Sequence, residues 1–134
     1  MPYLSSSEKG KAAELAIMSA LARKGKAILV PFGEYRYDFV IDEGDGKFSR
    51  VQCKTAVLKK GALTFYTASR KDGISHGANY VGEIEYFGIY SFALDKVYLI
   101  PIEVIGTKKR MSLRVDEPRN RQKGRIHWAS EYEV

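Results

Sequence analysis

Two β-rich runs joined by a short turn constrain the fold of this chain more than any other feature of its sequence. Residues 35–41 and 47–55 are rich in aromatic and β-branched side chains, and the turn-like sequence Glu43-Gly-Asp-Gly46 lies between them. This pattern is typical of a β-hairpin, in which the two runs pair as antiparallel neighbours. The fold must therefore contain a sheet built around this hairpin.

The segment before the hairpin has the features of an α-helix over residues 5–24. Ser5 and Glu8 have the spacing of a capping box, and a run of helix-forming residues follows them. Gly25 stands where the C-terminal glycine of a helix belongs. We therefore expect a helix that ends just before Gly25.

The rest of the chain predicts more strands and no second domain. Further β-rich runs lie at residues 27–30, 63–67, 86–90, 96–100 and 111–115. Residues 70–79 are expected to form a polar loop, and residues 122–131 a short helix. The prediction is one α/β domain spanning residues 1–134, with a mixed central β-sheet flanked by helices and built as a meander of five or six strands.

The charge of the chain favours a polyanionic partner. The 22 Lys and Arg residues outnumber the 16 Asp and Glu residues, which leaves a net charge of +6, and the pI is near 9.4. Nucleic acid and an anionic membrane surface both attract such a protein, and we favour nucleic acid. The single cysteine, the polar N-terminus and the lack of ~18 consecutive apolar residues predict a cytoplasmic protein, nucleoid-associated or phage-encoded, without a membrane span.

Two carboxylates stand out because they interrupt apolar patterns. Glu14 lies beside the stripe formed by Ala13, Ile17 and Leu21, and Asp38 lies within an aromatic and aliphatic strand, where Asp is disfavoured. Each has a structural explanation, since Glu14 can point to solvent and Asp38 can be a charge that protects an edge strand. The alternative is that both are acids of a functional site.

The sequence Gln52-Cys-Lys54 places two polar side chains on one face of a strand, with Cys53 on the opposite, packed face. A solvated sheet surface explains this pattern as simply as a site does. A symmetric four-residue turn at 43–46 would place Asp38 opposite Val51, so that Gln52 and Lys54 would face away from Asp38. A shared site therefore predicts a five-residue loop or a bulge that brings Asp38 opposite Gln52.

A helical Glu, an Asp on one hairpin strand and a Gln-x-Lys sequence on the next resemble, in this order, the PD-(D/E)XK nuclease superfamily. Lys9-Gly-Lys-Ala-Ala-Glu14, Tyr37-Asp38 and Gln52-Cys-Lys-Thr-Ala56 are similar to small archaeal-type Holliday junction resolvases and group I intron homing endonucleases. The later part of the chain, including Glu83-Ile-Glu-Tyr-Phe-Gly-Ile-Tyr90, is similar to the intron-associated branch. Two positions depart from the motif: Tyr37 replaces a Pro, and Gln52 replaces an acidic residue.

The resemblance implies a restriction-endonuclease-like core and a magnesium-dependent endodeoxyribonuclease in which manganese substitutes for magnesium. Asp38, the Gln52 amide oxygen and the Cys53 backbone carbonyl would bind the metal, and Glu14 would complete the ligand set directly or through water. These are the hard oxygen donors that magnesium prefers. Lys54 would orient the attacking water or stabilise the developing charge, which makes Glu14, Asp38, Gln52 and Lys54 the implied catalytic residues.

Basic residues in loops and at strand ends are the expected phosphate contacts. The candidates are Arg36, Arg50, Lys59, Lys60, Arg70 and Lys71, followed by residues 108–110 and Arg119, Arg121, Lys123 and Arg125. The segment 69–80, rich in Ser, Gly and Asn, is the best candidate for substrate recognition. One Cys and two His residues cannot complete a zinc site.

The sequence leaves the substrate open. We favour a Holliday junction resolvase that acts as a homodimer, because the chain is short, has no evident insert for reading many bases, and two sites related by a two-fold axis suit paired nicks in a four-way junction. The alternatives are a sequence-specific homing endonuclease of the same fold and a catalytically inactive DNA-binding module. RNA as the target is a further possibility.

Overall fold

The helix of the fold begins at a capping box, as the sequence predicts. The computed structural model describes the backbone of residues 3–71, 74–117 and 126–134, and the side chains of residues 3–68, 79–117 and 126–134. Helix α1 (Ser6–Arg23) starts at Ser5, whose Oγ accepts from the Glu8 N–H at 3.2 Å while Glu8 Oε1 accepts from the Ser5 N–H at 2.9 Å. Gly25, with φ of +85°, follows its C-terminus.

Strands dominate the remainder of the described chain. The described residues form β1 (Ala27–Leu29), β2 (Phe39–Gly44), β3 (Lys47–Lys59), β4 (Ala62–Tyr66), β5 (Ser69–Lys71), β6 (Ile74–Ala78), β7 (Tyr86–Ser91), β8 (Lys96–Pro101) and β9 (Arg110–Arg114). A four-residue helix, α2 (Ile102–Ile105), follows β8, and a 3-10 helix spans Ala129–Glu131. No helix in the described ranges is long and apolar enough to cross a bilayer.

Strand β3 is the common partner of the main sheet. It pairs antiparallel with β2 and β4 and parallel with β7, while β1 extends the sheet beyond β2, β9 beyond β4, and β8 beyond β7. The predicted mixed α/β sheet is confirmed. The predicted meander is wrong, because β7 returns to β3 in the parallel direction, which needs the long connection through residues 60–85.

The β2–β3 hairpin contains the predicted bulge. The register shifts between Asp42 and Gly44, so that β2 carries one extra residue, and Gly44 pairs with Lys47 across a two-residue turn. Both turn residues, Asp45 and Gly46, have positive φ, as a type I′ turn requires. The turn is therefore shorter than the four residues of Glu43-Gly-Asp-Gly46, and the bulge absorbs the difference.

The bulge decides which residues face each other at the far end of the hairpin. The ladder ends where Phe39 pairs with Val51, and Asp38, the residue before Phe39, lies beside Gln52, whose side-chain nitrogen is 3.2 Å from Asp38 Oδ2. The Asp38 N–H donates to the Val51 carbonyl at 2.8 Å and extends the contact between the two strands by one residue.

Two apolar cores lie on the two faces of the sheet. Ile17 and Leu21 of α1 pack on Phe39, Ile41 and Val51 on one face. The opposite face of β7 and β8 packs against β4, β9 and α2 in a larger cluster that includes Leu63, Phe65, Tyr80, Phe87, Ile89, Tyr98, Ile100, Ile105 and Leu113. In the part of the chain that the structure describes, a long helix covers one face of the sheet, and the second face is covered mainly by segments that follow β3.

Three sequence-based assignments are corrected by the structure. The strand predicted at 35–41 begins at Phe39 and continues to Gly44. The expected polar loop at 70–79 instead contains the antiparallel β5–β6 hairpin. Of the short helix expected at 122–131, the structure has the 3-10 helix Ala129–Glu131, and residues 118–125 lie outside the described residues.

Candidate active site

The four residues of the nuclease-like motif meet in one cleft between α1, the start of β2 and the middle of β3. The cleft has a volume of about 270 Å³ and is lined by Gly10, Ala13, Glu14, Asp38, Gln52, Cys53, Lys54 and Thr55. Val51 and Cys53 are buried on the packed side of β3, as expected. Thr55, expected on that side as well, is exposed and contributes to the cleft.

The side-chain carboxylate of Asp38 takes the place of a backbone carbonyl as the hydrogen-bond acceptor for β3. The Cys53 N–H, which a continuing β2 would bind through a backbone carbonyl, donates instead to Asp38 Oδ2 at 2.7 Å. This substitution explains why the ladder of β2 starts at Phe39. Burial raises the pKa of Asp38, and the hydrogen bonds from Cys53 and the charge of Lys54 offset this only in part.

Gln52 connects Asp38 to the preceding loop. In the amide orientation that satisfies its neighbours, the Gln52 side-chain nitrogen donates to the Arg36 carbonyl at 2.8 Å and to Asp38 Oδ2 at 3.2 Å. The neutral amide therefore stabilises the carboxylate that an acidic residue at this position would repel. The amide oxygen would have to turn toward Asp38 before it could share a metal ion with that residue.

Glu14 faces Asp38 from the helix. Burial raises the pKa of Glu14, the negative charge of Asp38 raises it further, and Lys11 lowers it. The half-buried position on α1 places Glu14 at the cleft and not wholly in solvent. Two carboxylates with raised pKa values in one cleft, one of them raised in part by the charge of the other, are typical of a site that holds a cation or a shared proton.

Lys54 is a half-buried cation between charges of both signs. Burial lowers its pKa, the nearby Asp38 raises it, and the nearby Arg36 lowers it. Its Nζ lies 5.6 Å from the centroid of the Tyr80 ring. The thiol of Cys53, between the two polar residues of the motif, is buried, and burial raises its pKa. Cys53 therefore stays a protonated, packed side chain whose backbone faces the site.

The two arginines that flank the motif are paired with acids of residues 79–85. Arg36 Nε donates to Glu83 Oε2 at 2.7 Å, and its Nη2 donates to the Asn79 carbonyl at 2.7 Å. Arg50 binds both carboxylate oxygens of Glu85 and donates its backbone N–H to the same group at 2.7 Å. These contacts hold residues 79–85 against the start of the hairpin, and phosphate binding by the two arginines stays a prediction.

The other predicted DNA contacts have different surroundings. Lys59 and Lys60 are exposed at the β3–β4 turn, and the three basic residues at 108–110 are exposed before and at the start of β9. Arg70 and Lys71 belong to β5, but their side chains lie outside the described residues, as do Arg119, Arg121, Lys123 and Arg125. Exposed lysines near a phosphate backbone contribute to affinity without sequence selectivity.

Sequence reasoning singled out residues 69–80 and the run that begins at Glu83, but it did not predict that they contact the site. Tyr80, Glu83 and Glu85 contact Arg36, Lys54 or Arg50. The available signal was a pair of glutamates two residues apart, directly before a β-rich run in a basic chain. That signal indicates paired arginines only once the parallel contact of β7 with β3 is known.

The donor atoms of the cleft fit a hard divalent cation. Carboxylate oxygens come from Glu14 and Asp38, an amide oxygen from Gln52 and a backbone carbonyl from Cys53. Among the described residues no group of three or more His, Cys, Asp and Glu side chains could hold a metal. If a divalent ion binds here, the amide, the carbonyl, water and substrate phosphate would have to complete its coordination.

The comparison with protein families agrees with this site. The model of the PD-(D/E)XK endonuclease family matches residues 4–134, so the chain belongs to that family and is a nuclease that acts on DNA. Enzymes of this family typically use divalent metal ions. The predicted resemblance to PD-(D/E)XK nucleases and the predicted restriction-endonuclease-like core are both confirmed, while the branch within the superfamily stays a prediction.

A solved structure has the same fold. The chain is similar to a bacterial homing endonuclease, I-Ssp6803I, with a TM-score of 0.68 and 24% identity, over 98% of this chain and 88% of that one. At this identity the likeness concerns the fold. Among curated protein sequences none is a match.

Proposed function

We propose that this protein is a magnesium-dependent endonuclease that hydrolyses DNA phosphodiester bonds in the cleft between α1, β2 and β3. The observation that carries the proposal is the convergence of Glu14, Asp38, Gln52 and Lys54 on that cleft, which depends on the bulge in β2. We also propose an intracellular location, where cellular DNA would be the substrate.

The residues of the cleft divide the chemistry between them. Glu14, Asp38, the Gln52 amide and the Cys53 carbonyl would hold the magnesium ion, and manganese would substitute for it. When bound, the ion neutralises phosphate charge and makes a coordinated water more acidic. Burial raises the pKa of both carboxyl groups, and the charge of Asp38 raises that of Glu14 further, so a nearby cation would favour their ionised forms.

Lys54 supplies the second positive charge of the site. Its ammonium group can donate to the attacking water or to a phosphate oxygen, in a half-buried position where electrostatic interactions are stronger than in water. Gln52 holds Asp38 through its amide nitrogen, and with the amide turned over its oxygen would be available as a ligand for the ion.

We propose sequence-specific cleavage of duplex DNA as the activity. The β5–β6 hairpin, a two-stranded sheet separate from the main one, supports this choice because a β-ribbon fits the major groove, where base pairs are distinguishable. A homing endonuclease with the same fold also supports it.

A Holliday junction resolvase that acts as a homodimer is the second candidate. This candidate is supported by the small size of the fold: apart from the β5–β6 hairpin, the described strands all belong to one sheet. Such a protein could place two clefts on a four-way junction through a two-fold axis.

One cleavage experiment tests these proposals together. The protein is incubated with a labelled four-way junction, its parent duplexes and a randomised duplex library, in magnesium, manganese or EDTA. Lys54→Ala is the site variant, and Lys47→Ala, an exposed lysine at the turn end of the same strand, is the matched control.

Each outcome decides between substrates. Metal-dependent cutting of one sequence from the library supports a site-specific enzyme, whereas paired nicks in the junction alone support a resolvase. Both activities should disappear in Lys54→Ala with magnesium and fall to a slow residual rate with manganese, and both should persist in Lys47→Ala. Salt-sensitive binding without cleavage in either metal would contradict catalysis and leave the inactive DNA-binding module.

A further inference from the structure

One aromatic ring beside the cleft contacts two cations. The Arg36 guanidinium carbon lies 3.7 Å from the centroid of the Tyr80 ring, and the Lys54 ammonium lies 5.6 Å from it. Tyr80 is only 3% exposed. Both distances are within the range in which a cation is attracted to the face of an aromatic ring, and burial strengthens that attraction.

The position of the Tyr80 ring is set by contacts outside the cleft. Its neighbour Phe87 packs edge to face against it, with centroids 5.3 Å apart, and Phe87 pairs with Gln52 in the parallel β3–β7 register. Arg36, over the ring, is tied to Glu83 and to the Asn79 carbonyl. The ring is therefore fixed both from the sheet and from its own segment.

Lys54 needs such a fixed neighbour. A lysine side chain has a flexible four-carbon stem, and the nearest charge that attracts its ammonium is Asp38. An ammonium group that collapsed onto Asp38 would occupy the carboxylate assigned to the metal. The Tyr80 ring, 5.6 Å from the ammonium, attracts it without forming a competing ion pair.

We propose that Tyr80 is a positioning residue for Lys54: its ring, held in place by Phe87 and Arg36, keeps the ammonium directed into the cleft and off Asp38. This inference rests on the proposed nuclease function. It also connects substrate contact to catalysis, because Tyr80 follows the β5–β6 hairpin after a single residue. DNA bound by the hairpin would thus act on the segment that positions Lys54.

The first test is independent of activity. The ε-methylene proton resonance of Lys54, assigned by its loss in Lys54→Ala, is measured by NMR on the full chain without DNA or metal. We expect an upfield ring-current shift in the wild type and in Tyr80→Phe, and its loss in Tyr80→Leu. Glu83→Gln, which loosens Arg36 from a partly exposed position, should reduce the shift even if Tyr80→Leu does not fold.

The second test measures cleavage under single-turnover conditions. Tyr80→Leu should lower the rate about 10-fold with DNA affinity unchanged, and Tyr80→Phe should keep the rate. In the Lys54→Ala background, measured in manganese, Tyr80→Leu should cause no further loss, because it acts through Lys54. The matched control is Tyr66→Leu, a 70% exposed tyrosine on β4.

The outcomes separate this inference from the proposed function. A Lys54 resonance that is the same in the wild type and in both Tyr80→Leu and Glu83→Gln would overturn the positioning role, and so would an unchanged cleavage rate in Tyr80→Leu. If the wild type cuts no DNA but the ring-current shift is present and lost as expected, the nuclease proposal fails and the contact between Tyr80 and Lys54 stands.

Discussion

The acids on the two sides of the β2–β3 hairpin behave in opposite ways. Glu83 binds Arg36 and Glu85 binds Arg50, and the hydrogen bonds from Arg50 lower the pKa of Glu85. Among the described residues, no arginine or lysine donates a hydrogen bond to Glu14 or Asp38, and burial raises the pKa of both carboxyl groups. The charges of Glu83 and Glu85 are thus neutralised by the protein's own arginines, whereas Glu14 and Asp38 would be neutralised by the proposed metal ion.

The largest effect is expected from Asp38→Asn. Cleavage should fall by at least about 100-fold, since a group that binds the metal directly matters at least as much as one that only orients a ligand. Stability should not fall, because the Asn oxygen can still accept from the Cys53 N–H and a buried charge is removed. Single-turnover cleavage and chemical denaturation in EDTA measure the two quantities, and a large loss of stability would show that Asp38 is a structural acid like Glu85.

The next largest effect is expected from Gly88→Ala, which disturbs the packing of α1, the helix that carries Glu14, against the sheet. A methyl group on Gly88 would lie 2.9 Å from Ile17 Cγ2 and 3.1 Å from Val51 Cγ1, so Gly88→Ala should push α1 away from β7. We expect a loss of about 1–3 kcal/mol in the free energy of unfolding and a lower cleavage rate. Leu15→Ala, an exposed position on the same helix, is the control. Wild-type stability in Gly88→Ala would contradict the close approach of helix and sheet.

Magnesium should stabilise the protein through the unpaired acids. Without metal, Glu14 and Asp38 have raised pKa values in the folded chain, so the folded state binds more protons and stability falls as pH rises through the ordinary carboxylate pKa toward the raised ones. At pH 7, magnesium at ten times its Kd should add about 1.4 kcal/mol. Thermal denaturation at pH 5 and pH 7, with magnesium or EDTA, should find the larger gain at pH 7. An equal gain in Asp38→Asn would place the ion elsewhere.

The smallest effect is expected from the paired acids. Glu85→Gln should lower stability by about 1 kcal/mol or less, because the ion pair with Arg50 is more than one-third exposed, and cleavage should stay within about threefold of wild type. The pKa of Glu85 is lowered, so its contribution to stability is present above the ordinary glutamate pKa and is lost as pH falls through the lowered value. Denaturation of both proteins across this pH range checks the sign. A strong loss of cleavage at unchanged stability would move Glu85 into the catalytic site.

The local sequence determined the elements that carry the motif. Ser5 and Glu8 start α1, and the Asp45-Gly46 turn with its bulge sets the register that brings Asp38 beside Gln52. These features depend on side chains a few residues apart, whose hydrogen bonds and backbone preferences act within one turn or one hairpin. The order of Glu14, Asp38, Gln52 and Lys54 therefore predicted a shared cleft.

Only the tertiary structure decided what surrounds that cleft. The parallel pairing of Gln52 with Phe87 brings together strands that are far apart in the chain, and it carries Tyr80 to Lys54 and Glu85 to Arg50. The spacing of apolar residues along the chain does not indicate which strands pair, because the stability of this pairing comes from the long-range burial of apolar faces and not from local preference. The residues of the motif could thus be predicted from the sequence, whereas the residues that hold them in place could be identified only from the pairing of β7 with β3.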